Sequence, residues 1–236
     1  MPEVYPPMAS PQEVNTLETL RSFSVTKLGN QISRVRSYTE SALAQPLISF
    51  IIPVFNEAGI VRDSVETLVR HLEALGLPFE VIVANDGSSD RTLEEAQQIS
   101  LKDDKVRVVS LAENIGRGEA ILFAARQAKG KVVAFTDADM AADLGHLPEL
   151  LYPVLDGTYE ISTGSRWVPG ADVSRKLTRR IVSFCYNKLV RWFFNSSVRD
   201  HQCGFKAFSQ PAFIVLSREM GSRNCRSWAW DTEVLV

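Results

Sequence analysis

Val132–Met140, VVAFTDADM, runs four apolar residues of strand type directly into two carboxylates, Asp137 and Asp139, separated by one alanine. Successive side chains of a strand point to opposite faces, but once the chain leaves the pleat both carboxylates can converge on one cation. In a parallel sheet the carboxyl ends of the strands line the ligand crevice. A hard divalent ion held there keeps coordination positions for the oxygens of a diphosphate. An isolated Asp-x-Asp pair is more often a solvated turn, so its meaning depends on what surrounds it.

The surroundings repeat one pattern. LISFIIPVF (Leu47–Phe55) is a continuous apolar run rich in β-branched and aromatic residues, the signature of a buried strand. Ile60, Val61, Val65, Leu68, Val69, Leu72 and Leu75 then recur at helical spacing, and Gly76 with Pro78 ends that helix. Strands are expected at Val81–Ala84, Val106–Leu111, Val132–Thr136 and Glu160–Thr163. Helices are expected at Thr92–Ser100, Gly118–Lys129 and Leu147–Leu155. Such alternation predicts an α/β fold, a mostly parallel sheet with helices on both faces. Right-handed crossovers then bring the loops after Val54, Ala84 and Phe135 to one edge.

Those loops carry the unusual polar residues. In Pro53-Val54-Phe55-Asn56-Glu57, Glu57 opens a helix, where a carboxylate also serves the helix dipole. In Asn85-Asp86-Gly87-Ser88-Ser89-Asp90-Arg91-Thr92, Gly87 permits a tight turn and Asp90 suits an N-cap. Asp86 stands at the strand end, where it can accept from the ring N–H of a uracil or guanine. In Glu113-Asn114-Ile115-Gly116-Arg117-Gly118, backbone N–H groups and Arg117 can face an anion, although a plain helix start explains the glycines nearly as well. The Gly-Arg-Gly spacing is not a dinucleotide fingerprint.

Bulk properties narrow the field. With 236 residues, 23% charged and 45% hydrophobic, the chain suits one large globular domain, and a net charge of -2 argues against a nucleic-acid partner. Three cysteines with no CxxC pair indicate neither a zinc site nor a disulfide framework, which fits a cytoplasmic setting. No signal-peptide core and no spanning apolar run are present. Residues 1–45, broken by Pro2, Pro6, Pro7 and Pro11, read as a partly disordered extension before a domain at 46–236.

Taken in order, IIPVFNEAG, VANDGSSDRT, N-x-G-x-G, TDADM, GSRW, DHQCGFKAF and WDTE resemble the family 2 glycosyltransferases of the GT-A fold, a Rossmann-like architecture. Within that family the likeness is to dolichyl-phosphate and other polyprenyl-phosphate hexose synthases, and it covers Leu47 to Val236. It implies hexose transfer from a nucleotide sugar to a lipid phosphate with inversion at the anomeric carbon. By that resemblance Pro53, Asn56, Glu57 and Asp86 contact the nucleotide, with Arg117 beside them. Asp137 and Asp139 hold Mg2+ or Mn2+ and the diphosphate. Arg166 meets the acceptor phosphate with Arg179 or Arg180 as its second partner. Asp231 pairs with the donor hexose or the acceptor arginines. Some members place a glutamine where this chain has Ala141, so the third metal ligand falls to water or another loop.

Val173–Arg199 supports the acceptor side physically. It carries Arg175, Lys176, Arg179, Arg180, Lys188, Arg191 and Arg199 and no acid, interleaved with Leu177, Ile181, Phe184, Leu189, Trp192 and Phe193 at roughly helical spacing. A basic, aromatic amphipathic helix suits an anionic membrane surface, here the cytosolic face, although a core-facing helix with a solvated basic side has the same pattern. Cys203 reads as a packing residue and His201 as exposed. Trp228–Glu233 resembles the glucose rather than the mannose synthases, favouring UDP-glucose over GDP-mannose. The chain stops at Val236, soon after the acidic pair Asp231 and Glu233, so a shortened C-terminal edge is expected. Two other readings stand beside the enzyme: a nucleotide-binding partner without turnover, and a transferase with a soluble acceptor.

Overall fold

The computed structural model describes residues 45–166, 177–220 and 230–235. The extension at 1–44 and Val173–Lys176 lie outside the described residues, as do Trp228, Ala229 and the side chains of Arg179, Arg180 and Glu233.

The apolar run predicted from Leu47 forms β1 (Ile48–Val54), every residue of which is buried. A strand reads as continuously apolar when both faces are covered, and β1 is central: β2 (Phe79–Asn85) pairs with it in parallel on one side and β4 (Val132–Phe135) on the other. Between β1 and β2 lies α1 (Val61–Ala74), which buries Val61, Val65, Leu68 and Leu72 at the predicted spacing. Helix α2 (Thr92–Ser100) leads to β3 (Val106–Ser110), parallel to β2, and α3 (Arg117–Ala125) leads to β4. The expected helix over Gly118–Lys129 thus starts one residue earlier and ends four earlier. A short 3-10 turn (Leu144–His146) and α4 (Leu147–Leu155) precede β5 (Ile161–Thr163).

The remaining elements are α5 (Leu177–Phe194), β6 (Lys206–Ser209), α6 (Gln210–Met220) and α7 (Trp230–Glu233). Among the described residues the strands form one sheet in the order β3-β2-β1-β4-β6-β5. Strand β6 is antiparallel to both neighbours, pairing Phe135 with Lys206 and Thr163 with Lys206. Because β6 runs backwards, its beginning, not its end, lies at the edge where β4 ends. The segment Asp200–Phe205 is thereby carried to the crevice formed by the parallel strands.

Pro53 helps to open that crevice. The carbonyl of Ile51 accepts from Thr136 N–H toward β4, and that of Val54 accepts from Asp86 N–H toward β2. By strand alternation Pro53 faces the β4 side, where pairing has already stopped at Ile51–Phe135. A residue with no N–H is tolerated at that point because no ladder bond is lost. The two strands separate there, at the position where strand order reverses on either side of β1, the usual ligand-binding crevice of such sheets.

Candidate active site

The Asp-x-Asp turn is held from three directions. Ser64 Oγ on α1 donates to the Ala138 carbonyl at 2.5 Å, fixing the residue between the two carboxylates, and Ala138 itself is buried. Met140 N–H returns to the Asp137 carbonyl at 3.1 Å, with Met140 at a φ of 48°. Gly204, brought in by the reversed strand β6, presses on Asp137 so closely that a Cβ there would stand 2.0 Å from Oδ2. Asp139 is exposed and accepts from Ala141 N–H at 3.1 Å. Of these supports, the sequence reading anticipated neither Ser64 nor the need for glycine at 204.

Asp137 opens a chain of alternating charges. Arg117, the first residue of α3, places Nη2 2.6 Å from Asp137 Oδ1 and donates from Nη1 to Asp231 Oδ2 at 2.7 Å. Asp231, on α7, also accepts from Lys206 Nζ at 2.9 Å. Lys206 is fully buried on β6 and donates as well to the Cys203 carbonyl at 2.5 Å. Both cations flank the Phe135 ring, 5.6 Å and 5.7 Å from its centroid. Trp230 fixes the height of α7: its ring packs on Phe135 at 5.6 Å and against Gly118, where a Cβ would meet the indole at 2.6 Å. Both Arg117 and Asp231 were expected at the site; their mutual pairing was not, because 114 residues separate them.

The electrostatics follow from burial. Burial works against the Arg117 charge, but the Asp231 and Asp137 carboxylates outweigh it and raise the guanidinium pKa. Burial pushes the Lys206 ammonium below its ordinary range, with Asp231 opposing. Asp137 is raised above the usual carboxylate range, first by burial and then by the charges of Asp231 and Asp139, which Arg117 only partly offsets. Nearly half of the Asp137 side-chain surface still meets solvent. A half-open carboxylate, paired with Arg117 and followed two residues on by the exposed carboxylate of Asp139, has the hard oxygen donors that suit a divalent cation such as Mg2+ or Mn2+. Among the described residues no group of three His, Cys, Asp or Glu side chains gathers. Asp137 and Asp139 are the two carboxylates of this turn that could hold such a cation.

The loops expected at the nucleotide are fastened to one another. Asp86 is buried and uses both oxygens, accepting from Ile115 N–H at 2.8 Å and Gly116 N–H at 2.9 Å. The anion expected at that loop is thus, in this structure, the chain's own Asp86. Asn56, at a φ of 56°, accepts from Ser89 N–H at 2.9 Å while its own N–H donates to Ser88 Oγ. Glu57 N–H donates to Thr92 Oγ1 at 2.7 Å. Glu57 stands one turn before α1 instead of opening it, and its carbonyl accepts from Ile60 and Val61. Asp90 accepts from Thr92 N–H and Ala58 N–H, a structural role as expected, although the N-cap position of α2 is Arg91 and not Asp90.

Arg166 sits across the crevice, after β5, and forms a two-pronged pair with Asp200: Nε and Nη2 each donate at 2.6 Å, and the backbone N–H adds a third bond at 3.0 Å. Asp200 is completely buried. Burial alone would raise its pKa, but Arg166 overcomes this and leaves it lowered. The DHQCGFKAF motif thus contributes a buried carboxylate, Asp200, that the sequence left without a role. His201 corrects the expectation of an exposed residue. It is buried, its Nδ1 stands 3.1 Å from Asn187 Oδ1, and its Nε2 stands 2.9 Å from Ser196 Oγ. The reason is tertiary: α5 supplies Asn187, whose amide donates to the Ser183 carbonyl and so presents Oδ1 to the imidazole. Cys203 is buried, and burial raises its thiol pKa, in keeping with packing.

The chain matches the family model "Glycosyl transferase family 2" over residues 49–216. It is 42% identical over 192 residues to glycosyltransferase AglD of Haloferax volcanii, covering 80% of this chain and 30% of that protein. It is 30% identical over 202 residues to the Homo sapiens dolichyl-phosphate beta-glucosyltransferase, covering 80% of this chain and 61% of that protein. The chain therefore spans between under a third and about three-fifths of these relatives' length. Among solved structures, glucosyl-3-phosphoglycerate synthase from Mycobacterium tuberculosis with Mn2+, UDP-glucose and phosphoglyceric acid superposes with a TM-score of 0.53 at 22% identity, over 82% of this chain and 70% of that one. A Pyrobaculum calidifontis mannosyltransferase with GDP-Man and Mn2+ superposes with a TM-score of 0.51 at 18% identity, over 80% and 55%. At that identity the structures speak for the fold, and the sequence matches for the family. The chain belongs to the family 2 glycosyltransferases and has the GT-A fold.

Proposed function

We propose that this chain carries the catalytic site of a hexosyltransferase that moves glucose from UDP-glucose to a polyprenyl or dolichyl phosphate. The observation that carries the reading is the clustering of Asp137, Arg117, Asp231 and Lys206 at the switch point between β1 and β4. The glucosyl donor and lipid-phosphate acceptor are favoured by the relatives named dolichyl-phosphate beta-glucosyltransferase. GDP-mannose is the second donor to test.

In this reading the bond between the anomeric carbon and the diphosphate breaks, its electrons leave with the diphosphate, and a phosphate oxygen of the acceptor forms the new bond on the opposite face. Asp137 and Asp139 would hold Mg2+ or Mn2+, which supplies charge neutralisation for the departing diphosphate. Arg166 presents the acceptor phosphate, held in orientation by its two bonds to Asp200; Nη1 takes no part in that pair, and among the described residues it has no other partner, which leaves it for a phosphate oxygen. A phosphate with a second pKa of about 6 is already an anion at neutral pH, so no general base is assigned.

The acceptor's lipid favours a surface site. On α5, Leu189, Trp192, Phe193 and Phe194 are exposed beside exposed Lys188 and Arg191. Exposed aromatic side chains among basic ones suit the headgroup region of an anionic bilayer. Among the described residues no helix is long and apolar enough to cross a membrane.

The test is transfer to a polyprenyl phosphate in detergent or liposomes from UDP-glucose, UDP-N-acetylglucosamine and GDP-mannose, with Asp137→Ala alongside. UDP-glucose is expected to be the best donor, and Asp137→Ala is expected to lose at least roughly a hundredfold in rate. Unchanged turnover by Asp137→Ala would remove the metal assignment. UDP binding without transfer to any acceptor would favour a binding module, and transfer only to soluble acceptors would remove the lipid.

A further inference from the structure

Arg117 is tied asymmetrically to its two carboxylates. The Nη1 bond to Asp231 is well formed at 2.7 Å. Nη2 comes within 2.6 Å of Asp137 Oδ1 as a charge contact, yet neither Nη2 nor Nε has an aligned hydrogen-bond acceptor among the described residues, although both are shielded from water. The Asp137 contact is short but poorly aligned and Nε has no acceptor among the described residues, so the guanidinium fork is not fully used, and a phosphate offers the pair of oxygens that it matches. Asp231 is anchored in turn by fully buried Lys206 and by the packing of Trp230 on Phe135 and Gly118. The Asp231 bond is therefore the fixed pivot and the Asp137 contact the replaceable one. About a third of the Arg117 side-chain surface meets solvent, although Nε and Nη2 themselves are shielded.

We propose that Arg117 is a built-in counterion for the Asp-x-Asp turn: it neutralises Asp137 in the donor-free protein, and passes to a diphosphate oxygen of the donor when Asp137 turns to a divalent cation. The inference rests on the donor-site reading above and adds to it a coupling. The cation competes with Arg117 for Asp137, and the donor relieves that competition by giving Arg117 a new anion. Among the four paired groups two positive charges match two negative ones, so a cation arriving without a diphosphate meets a site already neutral apart from Asp139. With Asp139 counted the site carries one net negative charge, and a divalent cation arriving together with a doubly charged diphosphate leaves that balance unchanged.

The coupling predicts opposite signs for two measurements on one variant. Mn2+ binding to donor-free protein is read from the free-ion electron paramagnetic resonance signal, and UDP binding in saturating Mn2+ is read by calorimetry. Arg117→Gln is expected to bind Mn2+ alone roughly threefold to tenfold more tightly, and UDP with Mn2+ roughly tenfold more weakly. Asp231→Asn removes the pivot, leaves Arg117 to Asp137 alone, and is expected to weaken Mn2+ binding. A variant damaged in its fold would lose both affinities together, and circular dichroism identifies it; Asp231→Asn then decides. Weaker or unchanged Mn2+ binding by folded Arg117→Gln, or tighter or unchanged binding by Asp231→Asn, overturns the proposal while leaving the donor site standing. Absence of both Mn2+ and UDP binding in the wild type would instead overturn the donor-site reading.

Discussion

An alanine at position 204 would put its Cβ 2.0 Å from Asp137 Oδ2, a collision with the free end of a side chain and not with backbone. The carboxylate can rotate away, so little of the strain remains in the fold, at most about 1–3 kcal/mol. The function bears the rest, because Asp137 then leaves the position that Gly204 reserves for it. Gly204→Ala is expected to weaken Mn2+ binding by roughly tenfold to a hundredfold with a small shift in denaturation midpoint. Titration with Mn2+ beside a urea melt checks this, and a large loss of stability with intact Mn2+ affinity would contradict it. The glycine in DHQCGFKAF is visible in the sequence, but its reason is not, since the contact joins positions 67 residues apart through an antiparallel strand pair.

At the scale of elements, α5 is joined to the start of the reversed segment by His201. Its backbone N–H donates to Asn187 Oδ1 at 2.9 Å, and its ring is enclosed between Asn187 and Ser196. With Asn187 Oδ1 as acceptor, Nδ1 carries the proton and Nε2 accepts from the Ser196 hydroxyl, which assigns the neutral tautomer. Burial lowers the His201 pKa; Asp200 acts to raise it, and Lys206 and Arg191 act to lower it. A depressed folded pKa means that the unfolded chain takes up the proton first. The imidazole's contribution to stability is therefore complete above the unfolded value of about 6.5 and is lost as pH falls through the lower folded value. The His201 ring resonance is expected to titrate below about 6.5, with stability declining over the same range. In His201→Gln that part of the decline should be missing from urea melts taken between neutral and mildly acid pH. An imidazole titrating above the ordinary value would refute the buried neutral assignment. The sequence offered only a polar residue in a motif, and exposure was the natural expectation until α5 brought Asn187 over it.

At the scale of the molecule, the sheet gathers the candidate site at one edge, and α5 presents the exposed Trp192, Phe193 and Phe194 with exposed Lys188 and Arg191. Exposed large apolar side chains are costly to leave in water and mark contact surfaces when they cluster. Replacing Trp192, Phe193 and Phe194 together by serine is expected to abolish flotation with vesicles containing anionic lipid. It should leave UDP binding in Mn2+ within roughly twofold, since none of these residues belongs to the charge cluster. Flotation that survives the triple change, or is insensitive to anionic lipid, would argue for a different surface or a soluble acceptor. Salt should weaken the association through its Lys and Arg part, with screening over about 10 Å at 0.1 M ionic strength.

The sequence by itself determined the alternation of strands and helices, the mostly parallel sheet, and the loops that meet at one edge. Those follow from local periodicity, and Leu147–Leu155 and Thr92–Ser100 form helices with the expected bounds. It also exposed Asp137 and Asp139, because two acids after a buried strand are costly unless they have a use. It did not show β6 or α7, whose short segments carry too little periodicity to announce themselves. Which charges meet was likewise a tertiary decision: Arg117 with Asp137 and Asp231, Lys206 with Asp231, Arg166 with Asp200, Asp86 with the amides of the third loop. Each pair joins distant positions, and only the crossing of the sheet and the reversal of β6 bring them within hydrogen-bond distance. A charge in a sequence states what a residue can pair with, and the packed structure chooses the partner by leaving buried charges few alternatives.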